Sequence, residues 1–204
     1  DEGKDHLVLA RRFSRWDAKL DNTAISILSD VLTDTNDSPL TRALLEKNLA
    51  QDVSMDLLDG RLQPAFVLWV ENMADSRREE VRQVIRDTVR GLVEHGIGRE
   101  DLEAAINRQA FRFKEPREPQ GLRRNFLALS SWLYGGDPAL YLTWDETIAQ
   151  LRQKLDTRYY EELLARLLLE EGDLSVLRVT PSKTLAEEQR QAEADAILDK
   201  IRKS

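Results

Sequence analysis

The sequence predicts an α+β fold: an antiparallel sheet with helices on one face, followed by a mainly helical segment. Two observations carry the sheet. "DVSMDLLD", from Asp52, alternates, with Val53, Met55 and Leu57 on one side and Ser54 and Asp56 on the other. That is the period of a half-buried strand. After the turn residues "GRLQP" comes "AFVLWV", Ala65 to Val70, a continuous apolar run expected of a central strand covered on both faces. A hairpin is the simplest pairing of the two. A third observation carries the helices: long stretches with apolar residues at helical spacing alternate with these runs. The predicted order through residue 115 is β-α-α-β-β-α-α.

Taken in order, "HLVLARRFSRW" from His6 opens with a β-like apolar run and predicts a strand. "DNTAISILSDVLTD" follows, with Ile25, Leu28, Leu32 and Ala24, Ile27, Val31 at helical spacing, and Asp21 or Asn22 as its cap. Ser38 is a suitable N-cap for a short helix, and Pro39 suits its first turn, where the missing N–H costs nothing. Leu40 and Leu44, flanked by Ala43, form its apolar face, and Asn48 is expected to end it.

After the hairpin, "DSRREEVRQVIRDTVRGLVEHG" is the clearest helix. Val81, Val84, Ile85, Val89, Leu92 and Val93 make its stripe, and Gly96 its stop. "GREDLEAAINRQAFRFKE" predicts another, and Pro116 and Pro119 mark a boundary. "GLRRNFLALSSWLYGG", "LTWDETIAQLRQKL" and "TRYYEELLARLLLEEG" read as three further helices and "DLSVLRVTP" as one strand. The closing "KTLAEEQRQAEADAILDKIRKS" reads as a charged helix with few apolar residues. No internal repeat occurs at a fixed period.

Composition narrows the function classes. Over 204 residues, 41% are hydrophobic and 33% charged, enough for a real core. No cysteine is present, which removes disulfide frameworks, zinc ribbons and thiol nucleophiles. The formal charge of −7 lacks the basic footprint of a general nucleic-acid binder. No apolar run approaches the roughly 18 residues of a membrane span. The chain opens on Asp1 and stops within a polar helical pattern, and it reads as a fragment of a longer protein.

Candidate chemistry is sparse. His6 and His95 stand far apart in sequence, and neither H-E-x-x-H nor H-x-x-E-H spacing occurs. His95, just before Gly96, reads as a helix C-terminal residue favoured by the dipole. The adjacent carboxylates Glu79/Glu80, Glu161/Glu162, Glu170/Glu171 and Glu187/Glu188 diverge by about 100° on a helix and read as solvated surface. Arg78, Arg82, Arg86 and Arg90 form an i, i+4 stripe that could hold an acidic partner. Neighbouring Glu79, Glu80, Asp87 and Glu94 favour local ion pairs instead. Trp132, Tyr134, Tyr141 and Trp144 form an aromatic cluster, read first as packing and second as a groove for an extended peptide. No residue is assigned as catalytic, cofactor-binding or metal-ligating.

Larger blocks carry a family resemblance. "SPLTRALLEKNLAQDV", "LLDGRLQPAFVLWVENM" and "VIRDTVRGLVEHGIGREDLEAAINRQAFRFKE" resemble the latter part of the second domain of presequence-protease-type metallopeptidases, in the pitrilysin/insulinase group of inverted zincins. "GLRRNFLALSSWLYGGDPALYLTWDETIAQLRQKL" and "LLLEEGDLSVLRVTPSKTLAEEQRQAEADAIL" are similar to the segment that follows that domain and leads into a helical hairpin. The resemblance implies three parts: residues 1–115 as the second part of a non-catalytic α/β domain, 116–182 as the associated helical segment, and 183–204 as the start of a linker hairpin.

It also implies a parent enzyme that hydrolyses short unstructured peptides in a closed chamber. Its zinc would be held by an inverted motif in another domain, since this sequence contains no part of that motif. The expected partners are the parent's remaining domains and, in the parent, a peptide substrate. Nucleic acid and membrane are not expected, and the isolated fragment is expected to self-associate. A cytoplasmic location is expected, with an organellar matrix as the alternative. The competing reading is a stand-alone, helix-rich interaction module.

Overall fold

The computed structural model describes residues 4–115, 118–170 and 172–203. The elements run β1 (Asp5–Arg12), α1 (Lys19–Thr33), α2 (Pro39–Leu45), β2 (Asp52–Leu58), β3 (Ala65–Met73), α3 (Arg78–His95) and α4 (Arg99–Lys114). They continue with α5 (Gln120–Trp132), α6 (Asp145–Gln153), α7 (Tyr159–Leu168), β4 (Leu174–Val179) and α8 (Leu185–Lys203). The predicted α+β class and the order β-α-α-β-β-α-α both hold.

The strands form one antiparallel sheet in the order β2-β3-β1-β4. β2 and β3 make the expected hairpin, with Val53 opposite Val70 and Met55 opposite Leu68. β1 lies on the other side of β3, with Leu9 opposite Leu68. The late strand β4 joins the same sheet beside β1, pairing Leu9 with Val176. Arg11, almost fully buried, donates to the carbonyls of Glu170 (2.5 Å) and Gly172 (3.2 Å) and so ties the entry to β4 onto β1.

One face of the sheet carries the core. Leu7 and Leu9, Val53 and Met55, and Phe66, Leu68 and Val70 point into it. Against them pack the apolar stripes of α1 (Ile25, Leu28, Leu32), α3 (Val81, Ile85, Val89), α4 (Leu102, Ile106) and α7 (Leu163, Leu164, Leu167). α6 contributes Ile148 and Leu151 to the same cluster. Each such side chain stabilises by about 1.5–3 kcal/mol through the apolar area it removes from water.

The expectation that β3 is covered on both faces needs correction. β3 is central, and Val67 and its neighbour Val8 are buried on the far face. However, both lie outside the core cluster, and Trp69 beside them is 37% exposed. That face is therefore only partly covered among the described residues, and a continuous apolar run here marks a central strand more than two fully covered faces.

Several boundaries differ from expectation. α1 begins at Lys19, before Asp21 and Asn22, and neither caps it. The Asn22 side chain is used in the preceding loop, accepting from Ser14 Oγ at 2.6 Å and donating to the Arg15 carbonyl at 3.1 Å. Ser38 occupies the N-cap position of α2, but its hydroxyl accepts from the Thr35 N–H and makes no cap bond. α2 ends at Leu45. Asn48 lies beyond it, in the left-handed region at φ 50°, where its N–H returns to the Leu45 carbonyl at 2.9 Å. Gly96 does stop α3, at φ 97°, with its N–H on the Leu92 carbonyl. Pro119 precedes α5, whereas Pro116 lies outside the described residues.

Candidate functional site

The stretch from Trp16 to Lys19 leads into α1, and the turn of residues 133–144 packs over it. Tyr141 Oη donates to the Trp16 carbonyl. Lys19 Nζ donates to the carbonyls of Leu140 (2.7 Å) and Thr143. Tyr134 stacks on Trp16 with ring centroids 6.0 Å apart. Gly136 allows this closure, because a Cβ there would run into the Trp16 ring. Trp144 lies flat on Phe113 of α4, with centroids 3.7 Å apart and planes 6° from parallel. Lys19 Nζ sits 4.2 Å from the Trp144 ring centre.

These contacts enclose a cavity of about 170 Å³. Its walls include Trp16, Phe113, Tyr141 and Trp144, with the polar side chains of Asn22, Asp59 and Gln109. Gln109 is buried, and the buried indole N–H of Trp16 has no hydrogen-bond acceptor among the described residues. Asp59 stands at the exposed mouth and forms no ion pair among the described residues. The surrounding protein raises its carboxyl above the ordinary value by desolvation, and nearby Asp56 adds to the rise. Burial also raises the Tyr141 phenol.

Of the four aromatic residues singled out in the sequence, Tyr141 and Trp144 line this cavity and Tyr134 supports it from behind Trp16. Trp132 does not, at 62% exposed. Sequence reasoning missed Trp16, Phe113, Asp59 and Gln109. The signal available was the Phe13/Trp16 pair after the first strand, which gives no hint of a partner more than a hundred residues away.

The other candidates fall on the surface or at helix ends. His95 Nδ1 meets the Gly91 carbonyl at 2.9 Å at the end of α3, and His6 is half-buried in β1 opposite Val179. In the arginine stripe, Arg82 pairs with Glu79 (3.1 Å), Arg90 with Asp87 (3.0 Å), and Arg78 with Asp75 and Glu79. Arg86 is exposed and has no ion pair among the described residues.

The carboxylate pairs diverge as expected: Glu79 turns to Arg82, while Glu80 takes a two-pronged contact from Arg77 at 2.9 and 3.0 Å. Glu187 pairs with Arg190, Glu170 approaches Arg11, and Glu171 lies outside the described residues. The surprise is Glu161. It is buried, and Oε1 accepts the Ile97 N–H at 3.0 Å, satisfying the break between α3 and α4. Glu162 beside it is exposed.

Among the described residues no three His, Asp or Glu side chains converge as a metal site would require. These residues do not fit zinc, and no chemical step is derived through it. No helix of the described residues is long and apolar enough to cross a membrane.

Residues 1–109 match the model of the Peptidase M16 inactive domain. Protein HypA of Clostridium perfringens is 32% identical over 184 residues, which cover 89% of this chain and 19% of that protein. Presequence protease 1 (chloroplastic/mitochondrial) of Arabidopsis thaliana is 27% identical over 88% of this chain and 17% of its own length. The chain thus spans about a fifth of the curated relatives it matches.

Among solved structures, the inactive peptidase domain from Bordetella parapertussis superposes with a TM-score of 0.68 at 15% identity, over 91% of this chain and 97% of that one. A Helicobacter pylori protease gives 0.63 at 15% identity, over 88% and 41%. At such identities the structures speak for the fold alone. The matched family model covers more than half of the sequence, and the chain belongs to the Peptidase M16 inactive domain family.

Proposed function

We propose that this chain is a non-catalytic wall segment of a zinc-dependent metallopeptidase that hydrolyses short unstructured peptides in a closed chamber. The zinc and the general base would come from a domain outside this segment. The observation that carries the reading is membership of the inactive-domain family together with the relation to proteins named presequence proteases.

Apolar surface supports a role inside a larger assembly. Phe126 on α5 and Leu133 just after it are 61% and 66% exposed, and Leu177 on the far sheet face is 56% exposed. Apolar surface left in water marks an interaction surface. The remaining domains of the same polypeptide are the partners proposed for it, and α8, exposed along its described side chains, begins the link toward them. In isolation the same surface would drive self-association.

The test compares the full-length parent with this segment alone. The parent is expected to bind zinc and to cleave unstructured peptides while sparing folded proteins; the segment alone should do neither. Stoichiometric zinc or peptide hydrolysis by the segment would overturn the reading, as would a zinc-free, inactive parent.

A further inference from the structure

We propose that the cavity walled by Trp16, Phe113, Tyr141 and Trp144 binds a benzene-sized apolar group carrying a primary ammonium, with the apolar group inside and the ammonium on Asp59. The proposal stands apart from the peptidase reading and does not require it.

Size comes first. The cavity of about 170 Å³ is close to the roughly 150 Å³ of an engineered apolar cavity that takes up benzene. Its aromatic walls offer an apolar ring the contacts it prefers. Charge comes second. Asp59 at the mouth has no ion-pair partner among the described residues, and Asp56 deepens the negative field around it. A carboxylate without a counter-charge gains from an incoming cation.

Attraction to the ring faces is not the main force, because both faces of Trp144 are taken, by Phe113 and by Lys19. Lys19 does not neutralise Asp59 either. It is held by the Leu140 and Thr143 carbonyls and lines the neighbouring cleft.

Two sources carry this chemistry: a free arylalkylamine, and the N-terminal residue of a peptide with an aromatic side chain. The test titrates the chain with 2-phenylethylamine and with 2-phenylethanol, following the indole N–H resonances of Trp16 and Trp144. Phenylalanylglycinamide and its N-acetyl form make up the second arm. The amine is expected to give saturable shifts at both indoles and to bind at least tenfold more tightly than the alcohol. Asp59→Asn, at an exposed position, should remove that difference without changing the fold. Ser26→Leu, which fills the cavity from α1, should abolish binding of both probes.

If the free dipeptide also binds and its acetylated form does not, the site takes peptide N-termini. If only the small amine binds, it takes free amines. Both results uphold the proposal. Equal binding of amine and alcohol, equal binding of the two dipeptides, absence of saturable shifts, an amine preference that survives Asp59→Asn, or binding that survives Ser26→Leu would overturn it.

Discussion

α7 and α5 both carry apolar residues at helical spacing and meet opposite fates. In α7, "YYEELLARLL", Tyr160, Leu163, Leu164, Leu167 and Leu168 are all buried. In α5, "QGLRRNFLALSSW", only Ser131 is buried, while Leu122 and Phe126 stand in water. Both helices show apolar residues at i, i+3 and i+4, the pattern of a helix with one covered face. Among the described residues α7 packs closely against α1 and α3, whereas α5 makes no helix contact of comparable extent. An apolar stripe therefore states that a helix needs a partner and does not say where the partner is.

The largest effect that would break the contrast is in α7. Leu164→Ala should lower stability by about 2–5 kcal/mol, because a fully buried side chain leaves a cavity in the core. Urea unfolding checks it, and a loss below 1 kcal/mol would mean that α7 is not the core helix described. Next comes Glu161→Ala, which leaves the Ile97 N–H buried without an acceptor and should cost about 1–3 kcal/mol. Glu161→Gln keeps an acceptor oxygen and should recover much of that loss in the same assay.

On α5 the expected change is in association rather than stability. Leu122→Ser with Phe126→Ser should shift stability by no more than about 0.5 kcal/mol per site. The pair should also reduce self-association of the isolated chain in sedimentation velocity. A large destabilisation would show that α5 is covered in solution.

The smallest effect concerns pH. The folded-state pKa of Asp59 is raised, so the folded state binds its proton more tightly than the unfolded chain. Its contribution is full below the unfolded value, near 3.8, and is lost as pH rises through the folded value. Asp59→Asn should therefore melt slightly higher than the parent sequence at neutral pH, with the gap closing below pH 3.8. A gap that widens in acid would reverse the sign of the electrostatics assigned to the cavity mouth.

Much of the architecture was legible because it rests on local pattern. Val53, Met55 and Leu57 alternate, the Val81-to-Val93 stripe repeats at helical spacing, and Gly96 supplies a conformation that other residues adopt at a cost. The failures arose where side chains had more than one use. Asn22 and Ser38 are both good caps by type, yet each spends its polar group on the preceding loop. Glu161 looked like one of several exposed pairs, but the orientation of α7 turns it inward to Ile97.

The sequence by itself determined the class, the order of elements and the lack of any zinc motif, since each follows from spacing along the chain. Only the tertiary structure decided that β4 closes onto β1, that α7 is buried while α5 is not, and that Trp16, Asp59, Phe113 and Trp144 meet around one cavity. The physical reason is the same in each case. Burial and pairing depend on which surfaces the folded chain brings together, and residues separated by tens to more than a hundred positions carry no local signal of their partners.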